Sequence, residues 1–161
     1  MIKYFSIYLS IAGFCILTSC GNKPISTTPA SPLPATEAKT KKLSIVEKLK
    51  ENSNLSIDQR IALYRTLKKE NAGLFDFGNE TELTLYGYSF LWENKLTDAI
   101  AIFELIIAEF PNSANAYDSM GEAYLQAKDS LKALQNYEKS LQMNPDNFHA
   151  EDVIEKLKIQ N

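Results

Sequence analysis

A serine beside a glycine, a single histidine and a cysteine near the amino terminus are the residues most suggestive of chemistry. Ser89 follows Gly87 as in a Gly-x-Ser-x-Gly nucleophile turn, but Leu91 stands where the second glycine belongs and the segment is predicted to be helical. The Ser-x-x-Lys nucleophile motif does not occur. His149 has no histidine or cysteine at metal-ligand spacing, and we expect it to be exposed at the start of the last helix. The sequence therefore predicts no catalytic residue, no metal site and no cofactor, and we do not expect an enzyme.

Cys20 is the residue for which the sequence does predict a modification. A basic start at Lys3, a mostly apolar stretch over 4–17 and the small residues Thr18 and Ser19 precede it, as in a cleaved secretory signal. The apolar stretch is shorter than the roughly 20 residues that a membrane-spanning helix needs. The pattern resembles the lipobox of bacterial lipoproteins, which implies that residues 1–19 are a signal peptide and that Cys20 is diacylated and anchors the mature chain.

The residues after Cys20 bear on the location of the protein. In such lipoproteins an aspartate after the cysteine favours the inner membrane, whereas Gly21 and Asn22 stand here, so the resemblance implies the outer membrane. No acidic run precedes Glu37, and we therefore expect the periplasmic face. Residues 20–43 hold four of the six prolines among serines and threonines, a composition that predicts a disordered tether.

The rest of the chain is dominated by a 34-residue repeat. Its landmarks are a glycine, an alanine, an aromatic residue and a proline, which occur at Gly87, Ala99, Phe103 and Pro111 and again at Gly121, Ala133, Tyr137 and Pro145. The period and pattern resemble the tetratricopeptide repeat, a helix-turn-helix unit. The resemblance implies an all-α fold, a short helical solenoid with repeats at 80–113 and 114–147.

The repeat landmarks have a physical explanation. Glycine inside a helix costs roughly 1 kcal/mol relative to alanine, which predicts that the second helix of each repeat approaches Gly87 and Gly121 closely. The small Ala99 and Ala133 are expected opposite. The prolines are expected to end the second helices, because the residue before a proline is disfavoured in helical geometry.

Two repeats bury little alone, so we expect flanking helices as caps. Apolar spacing predicts amphipathic helices at 44–50 and 57–69, within an amino-terminal segment 44–79, and Ser56 is a candidate N-cap. This segment is not a third standard repeat, since charged residues stand at its expected alanine and aromatic positions. Residues 148–161 predict a terminal capping helix with one apolar stripe.

A narrower resemblance covers residues 56–158. The runs Phe75–Phe77, Phe110–Asn115 and Asn136–Leu141 are similar to the tetratricopeptide module that follows the catalytic domain of many bacterial serine hydrolases of the β-lactamase and esterase type. We expect no hydrolase domain here, which leaves open a stand-alone module that assists a hydrolase in trans. An envelope assembly factor is the other alternative, and a pocket for a small apolar ligand has little support.

In the tetratricopeptide repeat, fixed positions of each first helix line a concave groove. The matching residues are Thr84, Tyr88, Leu91 and Trp92 in the first repeat, and Asn115, Asp118, Glu122, Leu125 and Gln126 in the second. One half is aromatic and the other acidic, so the expected ligand is a protein or peptide segment with a basic and an apolar side chain. A clamp for a terminal carboxylate is not expected. Alternatively, Tyr88 and Trp92 pack beneath the helix at 57–69.

Charge narrows the expected partners. Without Lys3 the mature chain would have 16 basic and 20 acidic side chains, and no basic stripe is evident along the sequence. Nucleic acid is therefore not an expected partner, and no glycine-rich loop suggests a nucleotide site. The sequence predicts a non-catalytic lipoprotein that acts as a protein-interaction adaptor or scaffold in the bacterial cell envelope.

Overall fold

The computed structural model describes residues 41–160, which lie in one compact unit of the chain, Lys39–Asn161. The predicted signal peptide, Cys20 and most of the tether lie outside the described residues. The described part contains the helices α1 (Ile45–Glu51), α2 (Ile57–Glu70), α3 (Glu80–Trp92), α4 (Leu96–Glu109), α5 (Ala114–Gln126), α6 (Ser130–Met143) and α7 (Phe148–Gln160). Two short strands, β1 (Leu43–Ser44) and β2 (Phe75–Asp76), pair in parallel. The all-α prediction is confirmed.

The helices keep a strict register. α3, α5 and α7 each have 13 residues, α4 and α6 each have 14, and equivalent helices start 34 residues apart. From α3 to α7 each helix packs on the next, and α3 also contacts α5. The fold is therefore a helical-repeat solenoid, in which α7 occupies the place of the first helix of a further repeat.

The two helical glycines are sites of close approach, as predicted. A Cβ atom at position 87 would lie 2.6 Å from Cε1 of Phe103, and one at position 121 would lie 3.0 Å from the ring of Tyr137. Both aromatic side chains are fully buried. The aromatic ring of the second helix therefore fills the space above each glycine, and the alanine of that helix is not the closest neighbour.

The turn inside each repeat uses a left-handed residue. Asn94 has φ 58° and Lys128, which is 34 residues later, has φ 61°. Each turn is closed by the following amide, since Lys95 N donates to Phe90 O and Asp129 N donates to Tyr124 O, both at 2.9 Å. Asparagine tolerates this conformation, whereas lysine is strained in it.

The amino-terminal helices are attached to the repeats by one buried tyrosine. Ser56 caps α2 in a capping box with Gln59, which confirms the predicted start of that helix. Tyr64 of α2 is fully buried, its hydroxyl donates to Glu109 Oε2 of α4 at 3.1 Å, and its ring meets that of Phe77 edge-on at 5.2 Å. α1 packs on α2 and α3, so this pair of helices covers the start of the solenoid.

Buried apolar side chains form two clusters. The larger cluster runs from α1 to α5, and the smaller one lies between α6 and α7 around Tyr137 and Leu157. Tyr124 packs against both clusters. Among the residues described, no helix is long and apolar enough to cross a membrane.

Candidate functional site

The residues predicted to line the groove differ greatly in accessibility. Trp92, Asn115, Leu125 and Gln126 are exposed, Tyr88, Asp118 and Glu122 are half-buried, and Thr84 and Leu91 are buried. Leu91 keeps only 2% of its surface and lies in the larger cluster, so its inclusion in an accessible groove is corrected. Its neighbour Trp92 exposes 72%, because successive helical residues point about 100° apart. We name Tyr88, Trp92, Asp118 and Glu122 the groove.

The aromatic half of the groove is a stacked pair. The rings of Tyr88 and Trp92, one helical turn apart on α3, lie 5.9 Å apart and are inclined by 27°. The Tyr88 ring also meets Phe103 edge-on at 5.4 Å. Trp92 is not covered by α2, contrary to the alternative in which both side chains pack beneath that helix. The indole face therefore remains open to a ligand.

A hydrogen bond joins the aromatic half to the acidic half. The Tyr88 hydroxyl donates to Glu122 Oε2 at 2.7 Å, which links equivalent positions of α3 and α5. Burial raises the pKa of the Tyr88 phenol above its ordinary value of 10, and the Glu122 carboxylate raises it further. Tyr88 is therefore a permanent donor at neutral pH and fixes the orientation of the Glu122 carboxylate.

Asp118 is held by residues that follow the second repeat. Asn147 Nδ2 donates to Asp118 Oδ1 at 2.8 Å, and the same oxygen lies 3.4 Å from His149 Nδ1. Asn147 Oδ1 also accepts from Ala150 N, so Asn147 both caps α7 and orients the Asp118 carboxylate. His149 is exposed, as predicted, and its ring meets Tyr137 edge-on at 5.7 Å.

Sequence reasoning missed Asn147 and His149 as neighbours of the groove. A signal for His149 was present, because it stands 34 residues after Asn115 and thus at the same repeat position. Asn147 carried no such signal. Its role depends on a side-chain contact between α5 and the loop before α7.

The groove carries uncompensated negative charge. Within residues 41–160, no lysine or arginine forms an ion pair with Asp118 or Glu122, and the neighbour of Asp118 is His149. Two buried hydroxyls, Thr84 Oγ1 and Tyr137 OH, have no hydrogen-bond partner in this part of the chain. Burial raises the pKa of Tyr137, with the Asp118 carboxylate as the next cause.

The arrangement offers recognition and shows no catalytic grouping. Ser89 Oγ donates to Tyr86 O at 2.7 Å within α3, as expected for an ordinary helical serine. The described residues include no group of three histidine, cysteine or acidic side chains placed to hold a metal ion. What the groove presents is an open aromatic face beside two oriented carboxylates.

Comparisons with known proteins agree with the fold. Residues 83–113 match the tetratricopeptide repeat family model. The structure is similar to the first TPR of Spaghetti (RPAP3) bound to the HSP90 peptide SRMEEVD, with 20% sequence identity and a TM-score of 0.50 over 72% of this chain and 89% of that one. No curated protein matches the sequence. The chain thus contains a tetratricopeptide repeat within a short all-α helical-repeat solenoid.

Proposed function

We propose that this protein is a lipid-anchored adaptor whose groove binds a protein segment with a basic residue next to a large apolar side chain. The observation that carries the proposal is the open indole of Trp92 beside Asp118 and Glu122, two carboxylates without a lysine or arginine partner among the described residues. A basic side chain would satisfy the carboxylates, and an apolar one would cover the indole.

The groove is organised before a ligand arrives. Tyr88 orients Glu122, and Asn147 orients Asp118. Side chains that are already held lose less conformational freedom on binding, which leaves more of the interaction free energy for affinity. The Tyr88–Trp92 stack gives the same advantage to the aromatic half.

Ligand charge distinguishes this groove from that of the similar structure. The peptide bound there, SRMEEVD, carries three acidic side chains and one arginine. Asp118 and Glu122 would repel acidic side chains, since like charges in contact are unfavourable. We therefore infer that the preferred ligand here has the opposite charge, and that the acidic peptide binds at least 10-fold more weakly than a basic-apolar one.

The experiment is capture by chemical cross-linking in bacterial envelope extracts, followed by mass spectrometry. The wild-type protein is compared with a groove variant, Asp118→Lys with Glu122→Lys, and with a matched control, Glu104→Lys with Glu155→Lys, whose two sites are exposed. One protein should be captured by the wild type and the control but lost with the groove variant, through a basic-apolar segment. Equal capture by all three would rule out the groove as the binding site.

Trp92 supplies a direct second readout, because it is the chain's single tryptophan. A synthetic peptide of the captured segment should shift its emission to shorter wavelength as the indole leaves water. Replacement of the basic residue by glutamate should weaken binding by about 10-fold to 100-fold, as expected for a desolvated charge pair worth about 1.5–3 kcal/mol. An unchanged affinity would refute the role of Asp118 and Glu122.

The anchor is a separate part of the proposal. A signal sequence that ends in a lipobox supports acylation of Cys20 and a place at the periplasmic face of the outer membrane. Incorporation of an alkyne-labelled fatty acid should occur in the wild type and disappear in Cys20→Ala. Outer-membrane fractions should contain the labelled protein, and its recovery in the inner-membrane fraction would refute the expected sorting.

A further inference from the structure

Charge is divided unevenly along the described residues. Residues 41–71, which form β1, α1 and α2, contain eight lysines and arginines against four acidic side chains. Residues 72–160 contain six against 15. The end of the solenoid at which the folded unit begins is thus basic, while the remainder is acidic.

Four of the basic side chains come together on this end. Arg65 and Lys69 lie four residues apart on α2, share one face and are exposed. Lys42 Nζ donates to Ala72 O at 3.2 Å, which places it at the carboxyl-terminal end of α2 beside Lys69. Lys41 precedes Lys42 and is also exposed. We name Lys41, Lys42, Arg65 and Lys69 the basic strip, and it corrects the expectation from the sequence that no basic stripe exists.

The basic strip is not neutralised by the protein. Within the described range none of its four side chains forms an ion pair, whereas Lys48, Lys50 and Lys68 pair with Glu51, Glu47 and Glu109. Nearby acids are few: Glu70 is exposed, and Asp76 is half-buried with Oδ1 accepting from Gly78 N. The strip therefore presents net positive charge to its surroundings.

Two leucines lie within the same surface. Leu43 N donates to Leu74 O at 2.9 Å, which brings the two residues together where β1 meets the segment after α2. Leu43 exposes 53% of its surface and Leu74 exposes 50%. Exposed leucines framed by cations are the composition expected of a surface that contacts the headgroup region of a bilayer.

We propose that the basic strip and these two leucines dock on anionic lipid headgroups. Charge complementarity supports this occupant, as does the position of the strip, because the residues that join it to Cys20 enter the fold at Lys41. About 20 tether residues at about 3 Å each reach roughly 60 Å, so the strip can meet the surface. Each cation near an anionic membrane strengthens binding about fivefold. The strip would thus orient the solenoid, with the acidic helices later in the order.

The test is co-sedimentation with lipid vesicles, using the mature chain from residue 20 with Cys20→Ser so that no acyl chain contributes. This chain retains the whole compact unit Lys39–Asn161. Vesicles of phosphatidylcholine alone are compared with vesicles that also contain phosphatidylglycerol. Binding to the anionic vesicles should be about 100-fold stronger and should fall steeply as salt is raised. Equal binding to both, or binding to neither, overturns the proposal.

Two variants locate the binding surface. The strip variant is Lys41→Glu, Lys42→Glu, Arg65→Glu and Lys69→Glu. The matched control makes the same charge change at four exposed lysines elsewhere, Lys95, Lys128, Lys139 and Lys158. The strip variant should lose the preference for anionic vesicles, and the control should keep it within about threefold. A comparable loss in both variants overturns the proposal, because it would reflect net charge alone.

A milder pair guards against misfolding. Arg65→Gln with Lys69→Gln removes two charges from an exposed helical face and should weaken binding to anionic vesicles about 25-fold, at fivefold for each cation. Soluble polyglutamate serves as a competitor. If polyglutamate binds the wild type while the vesicles do not, the strip serves an acidic protein and the bilayer proposal fails. These outcomes do not depend on the groove, whose capture experiment uses other residues.

Discussion

The two repeats carry different chemistry on one frame. Their interiors are nearly the same, with a glycine beneath an aromatic ring in each, Gly87 with Phe103 and Gly121 with Tyr137. Their groove positions differ, because Tyr88 in α3 is matched by Glu122 in α5. Packing between helices restricts the interior positions, whereas the accessible positions are free to vary. The same fold can therefore offer an aromatic surface in one repeat and an acidic one in the next.

The largest expected effect comes from removing the aromatic ring above each glycine. Phe103→Ala should destabilise the fold by about 3–5 kcal/mol, because a fully buried ring leaves a cavity in the larger cluster. Tyr137→Ala should cost less, since Tyr137 lies in the smaller cluster and its hydroxyl has no protein partner in the described part. Urea denaturation of both variants measures the difference. A larger loss for Tyr137→Ala would break the comparison.

The glycines should respond in the same order. Gly87→Ala would place a methyl group 2.6 Å from Phe103 Cε1, so overpacking of about 1–3 kcal/mol should exceed the roughly 1 kcal/mol gained in helix propensity. At Gly121 the nearest atom is 3.0 Å away, so Gly121→Ala should be closer to neutral. Thermal melting of the two variants, measured together, decides whether the tighter repeat is the more sensitive one.

Alkaline pH should act on both repeats through buried tyrosines. Burial raises the pKa of Tyr88 and Tyr137 in the folded state above the ordinary value of 10. The unfolded chain then releases protons that the folded state keeps, so this stability is complete below about pH 10 and is lost as the pH rises further. Each tyrosine contributes up to about 1.4 kcal/mol per pH unit.

The matched variants for this prediction are Tyr88→Phe and Tyr137→Phe. Each should make the free energy of unfolding fall less between about pH 10 and pH 11 than it does in the wild type. At neutral pH, Tyr137→Phe should be nearly neutral, because it removes a buried hydroxyl with no partner among the described residues. Tyr88→Phe should cost about 1 kcal/mol through the lost bond to Glu122. Identical pH profiles in all three proteins would refute this prediction.

The smallest expected difference lies in the turns. Lys128→Gly should raise the stability by about 1 kcal/mol, because lysine at φ 61° carries a strain that glycine lacks. Asn94→Gly should change it by only a few tenths of a kcal/mol, since asparagine adopts this conformation readily. Chemical denaturation resolves the two values. A stabilisation by Asn94→Gly as large as that by Lys128→Gly would contradict the assignment of strain.

Much of the fold could be predicted from residues whose effect is local or periodic. The close approach at Gly87 and Gly121, the cap at Ser56 and the ends of α4 and α6, two residues before prolines, all follow from short-range rules. The pairing of β1 with β2 could not be predicted. Two residues are too few to show periodicity, and Leu43 pairs with Phe75, which is distant in the sequence.

The candidate site was predictable in composition more than in detail. The aromatic and acidic positions followed from the repeat register, yet the burial of Leu91 and the bonds from Asn147 to Asp118 and from Tyr88 to Glu122 required the packed helices. The basic strip was hidden for the same reason. Lys42 and Lys69 are far apart in the sequence and adjacent only once β1 lies beside the end of α2.

The pairing of β1 with β2 has a mechanical consequence. Any tension carried along the residues before Leu43 enters the folded unit at this bridge, through the hydrogen bond from Leu43 N to Leu74 O and the paired residues Ser44 and Asp76. Because β2 lies between α2 and α3, the load is shared with the first repeat before α1 is pulled. A bridge of two residues thus acts as a strain relief, which lets the chain be tugged from its leading end without peeling its first helix.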